Sequence, residues 1–165
     1  MASRREIKIL SRPESVHEVE RFVEEISDQY HLNDNYFGNI MVALTEATLN
    51  AINHGNNQDP EKEVHIIVEY KPEGLSFSVI DQGQGFDYEQ YSDLETLLLS
   101  DDIKGRGLML ILSVADEVEF VDQGRGIQIL FHVKGIENEV VEERQRQMEK
   151  FFQPKKKGEK TKREE

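Results

Sequence analysis

The sequence predicts one α+β domain, a two-layer sandwich in which helices cover one face of a mixed, mostly antiparallel sheet. Two observations carry that reading. Apolar residues recur at every second position in five short runs and at three and four in three others, in the order β-α-α-β-β-loop-α-β-β. The glycine-rich stretch Asp81–Asp87 (DQGQGFD) interrupts that order where regular structure would otherwise continue.

Glu6–Leu10 (EIKIL) alternates and reads as a strand. Ser11-Arg12-Pro13 then opens a helix, because proline suits a first turn. Val16, Val19, Phe22, Val23 and Ile26 give it an apolar stripe to about Tyr30. A second helix starts at Asn33–Asp34, both good caps, and stops at His54-Gly55-Asn56-Asn57. Glu63–Tyr70 and Leu75–Ile80 form a hairpin around Lys71–Gly74. Tyr88–Lys104 is acidic and mixed, with an apolar cluster at Leu97–Leu99. Gly107–Val114 reads as a helix, and strands follow at Glu117–Val121 and Ile127–Val133, with Gly124 in the turn between them.

The sandwich occupies residues 1–135. Residues 136–153 carry Ile136, Val140, Val141, Met148, Phe151 and Phe152 on a helical stripe, expected as an amphipathic helix that folds back or pairs with another chain. Residues 154–165 hold six Lys/Arg against three Glu, a basic tail expected to be disordered.

With 165 residues, 37% hydrophobic and 32% charged, the chain has the make-up of a soluble globular protein. Mean hydropathy is −0.63, and no apolar run approaches the roughly 18 residues of a membrane span. No secretory signal is expected behind MASRREIKIL, and the expected location is cytoplasmic. A net charge of −13 opposes direct nucleic-acid binding. The absence of cysteine excludes disulfides, thiolate metal sites and cysteine nucleophiles. His31, His65 and His132 have no metal-ligand spacing and read as structural.

Three patches carry chemistry. Glu46, Asn50 and Asn53, followed by His54-Gly55, are spaced four and three along the second helix and share one face. The Asn50 amide oxygen can complete a Mg²⁺ shell made mostly of phosphate oxygens and water, and Glu46 can accept a proton from an attacking hydroxyl. The same residues would also make a solvated helix end with capping asparagines. Asp81-x-Gly83-x-Gly85 leaves a strand: the acid can accept from an amino-bearing base, and the glycines permit close approach of backbone. A plain tight turn uses the same residues. Lys104-Gly105-Arg106-Gly107 opens a helix, where free amides and flanking cations suit an anion. It is neither a P-loop nor a Rossmann turn.

In that order the three patches resemble the GHKL ATPase superfamily. ALTEATLNAINHGN and GRGLMLILSVADEVEF are most similar to the small anti-sigma-factor serine kinases. The resemblance runs from about Arg5 to Lys134. It implies the Bergerat, or histidine-kinase-like ATPase, fold, with ATP and Mg²⁺ as cofactors. Asp81 would be the adenine-binding acid, with Gly83 and Gly85 shaping the purine pocket. Asn50 would be the metal ligand and Glu46 the general base. Asn53 and His54 would lie near ribose and phosphates, and Gly105 and Gly107 would close a lid over the phosphates. Such proteins phosphorylate a serine on an anti-sigma-factor antagonist, hold a sigma factor inactive when not so engaged, and commonly act as homodimers.

The chain departs from that pattern at Ile127, where many relatives place a threonine that helps the adenine-binding acid. The lid, Phe86–Lys104, is too short for the large chaperone and topoisomerase members. His17-Glu18 superficially resembles the phosphoacceptor pair of histidine kinases but reads as helix surface. Two alternatives stay open: a nucleotide-binding regulatory module without phosphoryl transfer, and a histidine-kinase-type ATPase domain acting on a separate partner.

Overall fold

A computed structural model describes residues 3–101 and 105–133. The expected segments 136–153 and 154–165 lie outside them. The elements are β1 (Arg4–Leu10), α1 (Val16–Tyr30), α2 (Asp34–Asn50), β2 (Glu63–Lys71), β3 (Gly74–Ile80), α3 (Leu94–Leu98), α4 (Gly105–Val114), β4 (Glu117–Val121) and β5 (Gly126–Phe131).

The strands form one sheet in the order β1-β2-β3-β5-β4. Every pairing is antiparallel, although a mixed sheet was expected. β3 and β4 do run the same way across a helical crossover, but β5 sits between them and pairs with both. The parallel relation is therefore never a hydrogen-bonded one.

Register places one side of every strand in the core. Ile66 lies opposite Val79 and Val68 opposite Phe77, and Phe77 in turn lies opposite Ile129. All five are buried. They share one cluster with Val19, Phe22 and Ile26 of α1, Ile40 and Leu44 of α2, and Ile111 of α4. Each such side chain contributes about 1.5–3 kcal/mol on burial. Phe77 and Phe131 meet edge to face at 6.0 Å between ring centres, a favoured aromatic geometry.

Local chemistry sets the element ends. Asn33 caps α2, its side chain accepting from the Tyr36 N–H at 3.0 Å. α1 ends where His31 turns left-handed at φ 53°. The acidic stretch contains a short turn at Tyr88–Gln90 and the single-turn α3, capped by Asp93. β5 stops two residues before the expected Val133, whose N–H turns back to the Phe131 carbonyl.

Beyond Asn50 the second helix widens into a π-helical turn, Ala51–Gly55, closed by Asn56 N–H donating to the Ala51 carbonyl at 2.8 Å. Such turns favour functional sites because they redirect side chains. This one brings the end of the helix over the end of β3. Among the described residues no helix is long and apolar enough to cross a membrane.

Candidate nucleotide site

Glu46 and Asn50 stand one turn apart on α2 and face α4. Gly107 is buried there, and a Cβ on it would come within 2.8 Å of Glu46 Oε2 and 3.4 Å of Asn50 Nδ2. Glycine thus lets α4 approach that pair without displacing the Glu46 carboxylate. Gly105 has a packing role of its own: a side chain there would overlap the Leu98 carbonyl oxygen at the end of α3.

Asn53 does not join the face predicted for it. The π turn carries His54, four residues after Asn50, to the cleft wall, while Asn53 accepts a hydrogen bond from Gln58 Nε2 at 2.9 Å. A constant helical pitch would have kept Asn53 in line. The wider turn does not.

Asp81 leaves β3 still tied to the neighbouring hairpin, its N–H donating to the Arg125 carbonyl at 2.9 Å. Asp81 Oδ1 accepts from the Gly83 N–H at 2.7 Å. The carboxylate lies flat against Gly55, where any Cβ would overlap it. Gly83 is equally constrained, since its own Cβ would overlap the Gly55 carbonyl oxygen. Gly85 has φ 72°, and its backbone passes against the Gln123 carbonyl. The hydrogen bond that steadies Asp81 therefore comes from Gly83, while the apolar Ile127 offers none.

Burial pushes the Asp81 carboxyl above its usual value of 3.8, against the opposing pull of the Gly83 hydrogen bond and the charges of Arg125 and Lys62. Between the ordinary and the raised value the folded chain holds the proton more tightly than the unfolded chain. The contribution of Asp81 to folding stability should therefore fall as pH rises through that window and level off above it. Chemical denaturation of the wild type and of Asp81→Asn across the weakly acidic range checks this, the wild type losing stability relative to the variant as pH rises.

Asn50, His54, Asp81, Gly83 and Gly85 line one cleft of about 390 Å³, a size that suits a small-molecule ligand. Leu108, Phe120 and Ile127 form apolar wall, and Lys62 and Arg125 add positive charge. Glu46, Asn53, Gly105, Arg106 and Gly107 are not among the lining residues. Asp101, just before the second patch of undescribed residues, is one, and Lys104 lies outside the described residues. His17 sits on the exposed side of α1, 3.3 Å from Glu20.

Residues 9–131 match the family described as the histidine kinase-like ATPase domain. The chain belongs to that family. It is 28% identical over 130 residues to the serine-protein kinase RsbW of Bacillus velezensis, covering 75% of this chain and 81% of the relative. RsbW of Oceanobacillus iheyensis is 25% identical over 145 residues, covering 82% and 89%. Among solved structures, the RsbU and RsbW domains of a Mycobacterium tuberculosis protein superpose with a TM-score of 0.54 at 17% identity. That match covers 77% of this chain and only 31% of the other, and it bears on the fold.

Within the family frame the cleft's chemistry fits a purine nucleotide. Its lining includes the Asp81 carboxylate as an acceptor, an apolar wall of Leu108, Phe120 and Ile127, and the Asn50 amide. Sequence reasoning missed Lys62, Phe120 and Arg125, because nothing local marks them and only the fold brings them to one cleft. It read Asn56 as no more than a helix stop.

Proposed function

We propose that this chain is an ATP-binding anti-sigma regulatory factor with Mg²⁺-dependent serine-protein kinase activity. In this reading it transfers the γ-phosphoryl group of ATP to a serine of an anti-sigma-factor antagonist, and it sequesters a sigma factor when not so engaged. It works in the cytoplasm, as a homodimer. The observation that supports this best is the pairing of Glu46 with Asn50 on α2 and Asp81 across the cleft, in a chain whose curated relatives are serine-protein kinases.

In this reading Asp81 accepts from the adenine amino group and Ile127 and Phe120 flank the base. Asn50 would hold Mg²⁺ through its amide oxygen, and the ion would supply charge neutralisation at the phosphates. His54, Arg106 and Lys104 serve the ribose and phosphates, with Gly105 and Gly107 closing the lid over the phosphates. Asn53, turned toward Gln58, has at most an indirect part. Glu46 takes the proton from the serine hydroxyl as its oxygen bonds to phosphorus and ADP departs.

Incubation with γ-labelled ATP, Mg²⁺ and a candidate antagonist should place label on serine. Asn50→Ala should weaken Mg²⁺-dependent ATP binding at least about tenfold without loss of folded structure. ATP bound but label never transferred would leave a nucleotide-responsive binding module instead.

A further inference from the structure

Asn56 has no exposed surface and uses its whole side chain. Its Nδ2 donates to Ser11 Oγ at 2.6 Å and to the Glu63 carbonyl at 2.9 Å. Its Oδ1 accepts from the Gln82 N–H at 2.7 Å. Four separate parts of the chain meet at this one amide: the end of the π turn, the β1–α1 junction, the start of β2 and the loop after β3. Gln82 returns the tie, its Oε1 accepting from the Glu63 N–H at 2.8 Å.

The consequence falls on Asp81. Gln82 is the next residue, so fixing its amide fixes the peptide that carries the Asp81 carboxylate. Asn56 also follows Gly55 directly, and Gly55 is the surface on which that carboxylate rests. Both sides of the acid are thus held by one buried side chain. A helix stop needs neither burial nor three hydrogen bonds, since a solvated asparagine ends a helix equally well.

We infer that Asn56 is a positioning residue for base recognition: it sets the Asp81 carboxylate where it can accept from the exocyclic amino group of adenine. This rests on the proposed role of Asp81 as the base-binding acid. A loose carboxylate could still accept from water, but it could no longer distinguish an amino group from a carbonyl at fixed geometry.

The test is the ratio of ATP to inosine triphosphate affinity, because inosine carries a carbonyl where adenine carries the amino group. The wild-type chain should prefer ATP at least about tenfold. In Asn56→Ala the preference should fall at least about fivefold, with inosine triphosphate affinity changed by less than about threefold. A purely structural role would lower both affinities together and leave the ratio intact, and that result overturns the inference. Should Asn56→Ala not fold, Asn56→Ser keeps a small polar group at the site, but its shorter side chain cannot span to the Gln82 N–H; there too an unchanged ratio overturns it. Asp81→Asn separates the two levels. If it abolishes the preference while the Asn56 variant keeps it, the positioning role fails alone. If the wild type shows no preference, or Asp81→Asn keeps it, the base-binding reading of Asp81 fails and the inference with it.

Discussion

Glu46→Gln is expected to slow transfer of phosphate to serine by about 10²–10⁴-fold while leaving ATP affinity within about threefold. Glutamine keeps the size and shape of the side chain that faces Gly107 of α4. It also stays half-buried one turn from Asn50. What glutamine loses is a basic oxygen that can take the serine proton. The loss therefore belongs to the chemical step, and rate and binding should separate. Initial transfer rates at saturating ATP, set beside equilibrium binding, check this. Equal losses in rate and affinity would assign Glu46 to binding, and an unchanged rate would remove it from the chemistry.

The fold was legible because its layers are built from periodicities. Alternation at Ile66, Val68, Phe77 and Val79 and the stripe through Val19, Phe22 and Ile26 each point to a single buried face, and those residues form the core. The family, too, could be read from the spaced patches, since residues 9–131 match it. What local reasoning could not supply is the path of the chain between patches. Asn53 shares helical spacing with Asn50, yet the π turn gives the cleft to His54, and no residue type announces that change of pitch. Asn56 looks like any polar residue after a glycine. Its three side-chain hydrogen bonds go to Ser11 and Gln82, both remote in sequence, and to the nearer Glu63 at the start of β2. The glycines of the Asp81 loop are expected to let backbone approach a ligand closely, and Gly83 and Gly85 line the cleft. They also bring backbone against the protein's own Gly55 and Gln123 carbonyls, which no local pattern announces.

That close packing makes Gly83→Ala a damaging substitution at the site. Gly83 does not adopt a left-handed conformation, so alanine meets no backbone penalty. The cost is steric. The new Cβ would overlap the Gly55 carbonyl oxygen, and it would lie 2.8 Å from that carbonyl carbon and 2.9 Å from Asp81 Oδ1. The Gly55 carbonyl cannot swing aside cheaply, because the next residue is the fully buried Asn56. The Asp81 loop must retreat instead, and it takes with it the 2.7 Å hydrogen bond from the Gly83 N–H to the carboxylate. Overpacking of this kind costs about 1–3 kcal/mol in stability. With the acid displaced, ATP affinity should fall about 100-fold, a loss expected when a buried charge-assisted contact is misplaced. Gly38→Ala is the matched control. It lies inside α2, where a Cβ would meet nothing within 4 Å, and alanine there should raise stability by about 0.5–1 kcal/mol without touching ATP affinity. Calorimetric titration of both variants decides the matter: equal ATP affinities would mean that the close approach of Gly83 to Gly55 does not hold the nucleotide site together.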